Sequence, residues 1–218
     1  MAVRLETIAL EGMLPKVFAS ESIPPSDVWK ASLTFSRGTH YLVEAASGAG
    51  KSSMCSFIYG ARRDFEGKLL FNGKDTAHMK IKEWQEIRCR HIAYLPQDLM
   101  LFPELTAIAN IRLKNNLTHC LSDEEIDKWL SLLGIDMRKD YPVGRMSVGQ
   151  QQRVAIIRAL CQPFDFILLD EPVSHLDETN NRIVADLITS VAMRHGAAII
   201  STSVGNPLLL HDAVTLHL

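Results

Sequence analysis

Long hydrophobic runs are missing from this 218-residue chain. No stretch approaches the roughly 18 consecutive apolar residues that a membrane span needs. The opening MAVRLETIALEGM reaches Glu6 before any apolar stretch that could serve as a secretory leader. Neither sign of charge dominates. Lys and Arg number 23, Asp and Glu 25, and the formal charge is -2. That balance argues against a general nucleic-acid binder, which usually carries a basic excess. Cysteine is scarce. Cys55, Cys89, Cys120 and Cys161 form no C-x-x-C pair. They read as reduced, mostly buried thiols rather than a disulfide framework. Internal repeats, low-complexity segments and linkers are also absent. What remains predicts a soluble, cytosolic, globular protein. At this length it can bury roughly 70% of its unfolded surface without staples.

What is present is an alternation of strand-like and helix-like stretches. Residues 5–10, 29–35 and 41–45 read as strands. Residues 48–50 read as a loop, and 51–59 as a helix closed near Gly60. Residues 68–72 are strand-like and lead into Asn72-Gly73, a hairpin-type dipeptide. A short helix is predicted over 82–88 and a strand over 92–95. From Thr106 to Arg138 no strand is predicted. Ser122 and Glu125 form a capping box. Ile126, Trp129, Leu130 and Leu133 follow at helical spacing up to Gly134. Another helix follows Ser147 to about Leu160. Residues 166–170 are an apolar run ending in acids, as in a buried parallel strand. A helix over 178–194 stops at Gly196, and strands over 197–201 and 213–218 follow. This alternation predicts an α/β fold around a largely parallel sheet.

Residues 41–53 read YLVEAASGAGKSS. From Ala45 to Ser52 this is a P-loop with alanine in place of its first glycine. A strand delivers the chain to small residues, Ser47, Gly48, Ala49 and Gly50. Successive backbone N–H groups can then converge on phosphate oxygens. The following helix adds its positive N-terminal end. Lys51 brings a point charge to the β- and γ-phosphates, and Ser52 a hydroxyl to Mg2+. Ser53 stands beside them as a further binding candidate. Residues 164–172 read FDFILLDEP. They place Asp170 and Glu171 at the carboxyl end of a buried strand, where open α/β sheets bind ligands. Asp170 would face Mg2+. Glu171 would be aimed at an attacking water as general base.

Between these sites stands Met146-Ser147-Val148-Gly149-Gln150, followed by QQRVAIIRAL. The stretch resembles the nucleotide-binding domain of ATP-binding-cassette (ABC) proteins, whose signature reads Leu-Ser-Gly-Gly-Gln. Downstream, Ser174-His175-Leu176-Asp177 is similar to the family's D-loop. Upstream, residues 90–111, RHIAYLPQDLMLFPELTAIANI, are similar to its Q-loop region, with Gln97 as the glutamine. The resemblance runs from about Leu5 to Leu218. QQQRVAIIRAL and FPELTAIANI look most like small subunits of lipoprotein-releasing and macrolide-exporter systems.

The resemblance implies one ABC ATP-binding domain over 1–218. It implies a P-loop NTPase core with a mainly parallel sheet, an antiparallel β subdomain and a helical subdomain at about 98–146. It also implies ATP with Mg2+, held by Ser52, Gln97 and Asp170. Two cassettes would pair head to tail, as a homodimer or with another ABC subunit. Ser147, Gly149 and Gln150 would then reach the partner's nucleotide, with Asp177 at the interface. Lys51, Gln97, Glu171 and the residue at the switch position would carry catalysis. A transmembrane permease would dock in a groove beside the Q-loop and hold the chain at the cytoplasmic face of the membrane. Leu99, Met100, Leu101 and Phe102 are the apolar candidates there, with core packing the other reading of each. Phe18, or Val17, is the candidate adenine platform.

Three positions depart from the family pattern. Ala45 is a mild change. Val148 replaces a signature glycine, and a β-branched residue resists positive φ. Either the loop does not need that conformation here or the loop is altered. At the switch position, Ser203 stands where the family places a histidine. His175 lies in the D-loop-like segment, His195 ends a helix and is expected to face solvent, and His211 fits the start of the final strand. The leading expectation is an ATP-binding and ATP-hydrolysing transporter subunit of slow turnover. A catalytically degenerate partner in an asymmetric pair is the alternative, with a soluble non-transport ABC ATPase as the third.

Overall fold

The computed structural model describes residues 4–20 and 23–218. Two sheets organise them. β1 (Thr7–Pro15), β2 (Ser32–Ser36), β4 (Phe65–Phe71) and β5 (Lys74–Asp75) form an antiparallel sheet in the order β2-β1-β4-β5. β3 (Tyr41–Glu44), β6 (Ile92–Leu95), β7 (Phe166–Asp170), β8 (Ala198–Ser203) and β9 (Val214–His217) form a second sheet in the order β6-β7-β8-β3-β9. Every pairing in that second sheet is parallel.

Strand edges differ from the sequence expectations in places. β1 begins at Thr7 and runs to Pro15, bending at a register shift between Glu11 and Leu14. The strand expected from Trp29 begins at Ser32, because Val28, Trp29 and Lys30 turn there, with Lys30 at φ 60°. Asn72 and Gly73 both take positive φ, at 49° and 76°, which fits the tight turn from β4 into β5.

The helices follow their local signals. α1 (Lys51–Ile58) starts at the P-loop. α2 (Ile81–Glu86) continues as a π-type turn over Ile87–His91. α3 (Ala107–Asn115) and α4 (Asp123–Leu132) make the central helical stretch, and Ser122 with Glu125 caps α4 reciprocally. α5 (Val148–Leu160) and α6 (Glu178–His195) follow. Gly196 closes α6 with φ 59°. No helix among the described residues is long and apolar enough to cross a membrane.

Side chains of a strand point alternately to its two faces, and β7 feeds two cores in this way. Phe166 and Leu168 join Ile8, Leu10, Val43, Phe57 and Ile200, between the antiparallel sheet, α1 and the parallel sheet. Ile167 and Leu169 join Ile111, Trp129, Ile156, Ile188 and Ile199, under α3, α4, α5 and α6. With every strand of the second sheet running one way, all their carboxyl ends lie on one edge. The P-loop, Gln97, Asp170 and Ser203 follow or end β3, β6, β7 and β8 there.

Candidate functional site

The P-loop is shaped by two left-handed glycines. Gly48 has φ 82°, and Gly50, the N-cap of α1, has φ 99°. A β-carbon on Gly50 would meet Trp29 Cζ2 at 3.0 Å and Phe18 Cε2 at 3.1 Å. Glycine is needed there for both conformation and space. Ala45 has no positive φ, so its methyl adds no backbone strain. The loop is also gripped from outside. Trp29 is buried, and its indole N–H donates to Ala49 O at 2.9 Å. Phe18, Trp29, Ser47, Gly48 and Ala49 line a cleft of about 250 Å³.

Lys51 is 5% exposed despite its charge. Its Nζ donates to Ala46 O at 3.0 Å and Ala45 O at 3.4 Å, and lies 3.7 Å from Glu171 Oε1. Ser52 Oγ stands 3.5 Å from Gln97 Oε1. Ser52, Gln97 and Asp170 line one cleft of about 350 Å³. Such a set of hydroxyl, amide and carboxylate oxygens suits a hard divalent cation such as Mg2+. Ser53 Oγ accepts from Arg62, outside this group.

Asp170 is 2% exposed and needs a partner. Thr202 provides it, donating from Oγ1 to Asp170 Oδ1 at 2.8 Å. The same Oγ1 accepts from the Glu171 N–H at 3.2 Å. Glu171 has φ 51°. A non-glycine residue pays about 1–3 kcal/mol for such a conformation and keeps it only where its surroundings impose it. Gln152 holds the other side, donating from Nε2 to Glu171 O at 3.2 Å. Ser203 ends β8, fully buried beside Glu44, and its carbonyl accepts from Ala45 N–H at 3.4 Å.

The signature-like residues stand apart from this cluster. Ser147 Oγ accepts from Gln150 N–H at 3.3 Å, and Gln150 Oε1 accepts from Ser147 N–H at 3.0 Å. Val148 is the first residue of α5, 49% exposed and without positive φ. As it stands here, this turn makes no demand that a β-branched side chain resists. A β-carbon on Gly149 would sit 3.1 Å from His175 O, so close packing is what restricts that position. Asp177 caps α6 by accepting from Asn180 N–H at 2.8 Å, which with the Asn180 side chain lowers its pKa. No hydrogen bond among the described residues joins Ser147, Gly149 or Asp177 to the P-loop.

The four apolar candidates after Gln97 divide evenly. Leu99 and Leu101 pack against the core. Met100 is 62% and Phe102 52% exposed, on a groove with Tyr59, Tyr94 and Leu113. Arg158 donates to the carbonyls of Leu99 and Met100 and fixes their left-handed turn. His195 does not face solvent as expected. Its ring is half-buried, 4.8 Å from that of Phe164, because Phe164 and Arg37 close over the end of α6. Val17 is exposed, whereas Phe18 lines the cleft, so Phe18 is the better placed of the two.

Sequence reasoning missed Trp29, Gln152 and Thr202. The residues from Trp29 to Phe35 read as a strand, which hides the turn that Trp29 makes. Gln152 gives a faint signal: it sits in a polar run, but its neighbours three and four positions away, Val148, Gly149, Ala155 and Ile156, are small or apolar. Thr202 gave none, because its partner lies across a strand pair joined only by the fold.

Fold and site together define a P-loop nucleotide-binding α/β domain. Comparisons narrow the class. Residues 28–174 match the family described as ABC transporter. The ABC transporter ATP-binding protein YtrE of Bacillus subtilis is 29% identical over 194 residues, covering 84% of each chain. The macrolide export ATP-binding/permease protein MacB of Shewanella sp. (strain W3-18-1) is 31% identical over 160 residues, 72% of this chain. This chain spans only 25% of that protein's length. Among solved structures, the dimeric MJ0796, a bacterial ABC transporter cassette, superposes with a TM-score of 0.75 at 26% identity, covering 90% of this chain and 87% of its own. The chain belongs to the ABC transporter family, as an ATP-binding cassette.

Proposed function

We propose that this chain is the ATP-hydrolysing subunit of a membrane transporter, with slow turnover. The convergence of Lys51, Ser52, Gln97, Asp170 and Glu171 on one edge of the parallel sheet carries the reading. The N–H groups of the turn from Ser47 to Lys51 bind phosphate oxygens, and Lys51 leaves the Ala45 and Ala46 carbonyls for the β- and γ-phosphates. Phe18 stacks on the adenine, beside Trp29. Ser52, Gln97 and Asp170 hold Mg2+, which when bound neutralises phosphate charge. Glu171 orients and polarises the attacking water. Ser147, Gly149 and Gln150, at the N-terminus of α5, complete the site of a second cassette. That arrangement makes a two-fold pair natural. Met100 and Phe102 offer the permease an apolar groove. The permease would hold the chain at the cytoplasmic face.

Slow turnover rests on Ser203. Loss of one group that stabilises the transition state costs about 2.7–4 kcal/mol, or 10²–10³ in rate. Steady-state assays with excess Mg2+ should give turnover below about 1 s⁻¹, and Glu171→Gln should abolish it. Faster turnover would overturn the slow-site reading. Ser203→His should raise the rate if its thermal midpoint stays near that of the wild type. Ser203 also favours a second reading, a degenerate partner in an asymmetric pair. Sizing with ATP separates the two: a homodimer supports the first, and a monomer that pairs only with another cassette supports the second.

A further inference from the structure

Glu171 is held by its backbone as well as by its side chain. Its φ of 51° lies where a residue with a β-carbon does not settle unaided. Both of its backbone polar groups are taken by side chains from other elements. Thr202 accepts its N–H, and Gln152 donates to its carbonyl, each at 3.2 Å. Gln152 is 1% exposed. Its amide is used on both sides. Nε2 also reaches Ser174 Oγ at 3.4 Å, and Oε1 accepts from the His175 N–H at 3.2 Å. One side chain of α5 thus pins the turn from Glu171 to His175 at both ends. α5 is also the helix whose N-terminus Ser147 caps.

We infer that Gln152 is a positioning residue for hydrolysis. It holds the Glu171 backbone left-handed, so that the carboxylate stays beside Lys51, 3.7 Å away. It also makes Glu171 and His175 move with the signature helix rather than with β7 alone. This inference rests on Glu171 acting as the base. Without Gln152, the Glu171 backbone relaxes toward ordinary φ and its side chain swings out of line. A misplacement of about 1 Å costs on the order of 10² in rate.

The test compares Gln152→Leu and Gln152→Glu with the wild type and Glu171→Gln, in full-length protein. Gln152→Glu keeps an acceptor for the His175 N–H and loses the donor to the Glu171 carbonyl. It therefore remains informative if the leucine variant folds poorly. Single-turnover hydrolysis of MgATP gives the rate, and equilibrium binding gives the affinity. Both Gln152 variants should lose about 10–100-fold in rate, while ATP affinity stays within about threefold because the P-loop is untouched. A merely structural role would lower affinity and rate together. Wild-type rates in both Gln152 variants, with Glu171→Gln inactive, would overturn the positioning role and leave the base assignment standing. A Glu171→Gln variant that hydrolyses normally, or a wild type with no measurable single turnover, would overturn both.

Discussion

Thr202 serves two neighbours with one hydroxyl, as donor to the Asp170 carboxylate and acceptor for the Glu171 N–H. Thr202→Val keeps the shape and removes both bonds. It leaves a buried carboxylate short of a donor, so the cost should be about 1–3 kcal/mol. A lower urea midpoint at unchanged m would show it. Lys51 works differently, because its charge is meant for a ligand. Lys51→Ala should weaken MgATP binding by about 10–100-fold, the worth of one charged hydrogen bond, with equilibrium dialysis as the measure. The two residues also differ in legibility. Lys51, Ser52, Asp170 and Glu171 sit in local motifs whose spacing reveals them. Thr202 sits opposite Asp170 only because β7 and β8 pair in one register.

Elements obey their ends. α5 begins where Ser147 and Gln150 cap each other, and the same cap presents the signature-like segment. Ser147→Ala should cost about 1 kcal/mol of stability from the lost cap, read by chemical denaturation without nucleotide. Gly60 ends the turn after α1 with φ 72°, and a β-carbon there would lie 2.3 Å from Trp84 Cζ3. Gly60→Ala combines overpacking with left-handed strain and should cost about 2–5 kcal/mol, visible as a lower thermal midpoint. The capping box at Ser122 and the helix ends at Gly134 and Gly196 are legible because capping, periodicity and glycine closure are local, whereas the helix over Ala107–Asn115 is expected only as part of a strand-free stretch. The turn at Trp29 is not legible. Val28, Trp29, Leu33, Thr34 and Phe35 suit a strand, but Ser26 Oγ takes the Val28 and Trp29 N–H groups and the P-loop holds the Trp29 indole, so the strand starts only at Ser32.

Stability of the whole molecule should depend on pH through groups that the tertiary fold buries. Burial lowers the pKa of His195 below its ordinary 6.5, with Arg194 adding to the effect. The folded state therefore keeps His195 neutral after the unfolded chain has begun to protonate. Unfolded chains then bind more protons, and stability falls as pH drops below about 6.5. His195→Gln should flatten that part of a plot of thermal midpoint against pH. Asp165 acts lower down. Burial alone would raise its pKa, but hydrogen bonds from His91 and the Leu5 N–H, with the Arg37 charge, outweigh burial and lower it. Its contribution is present above its ordinary 3.8 and is lost as pH falls further.

The sequence by itself determined the alternation of strands and helices, the P-loop, the acidic strand end, the capping box at Ser122 and the family resemblance. Each of these is written in residues close together along the chain, where spacing and side-chain chemistry act directly. Tertiary structure decided the rest. It set the parallel order β6-β7-β8-β3-β9, which brings four separate carboxyl ends to one edge. It turned Met100 and Phe102 outward and Leu99 and Leu101 inward. It also gave Gln152, Trp29 and Thr202 their partners. Those contacts join residues 19 to 32 positions apart. No local pattern can encode them, because only the closing of the sheets and their cores brings the groups within bonding distance.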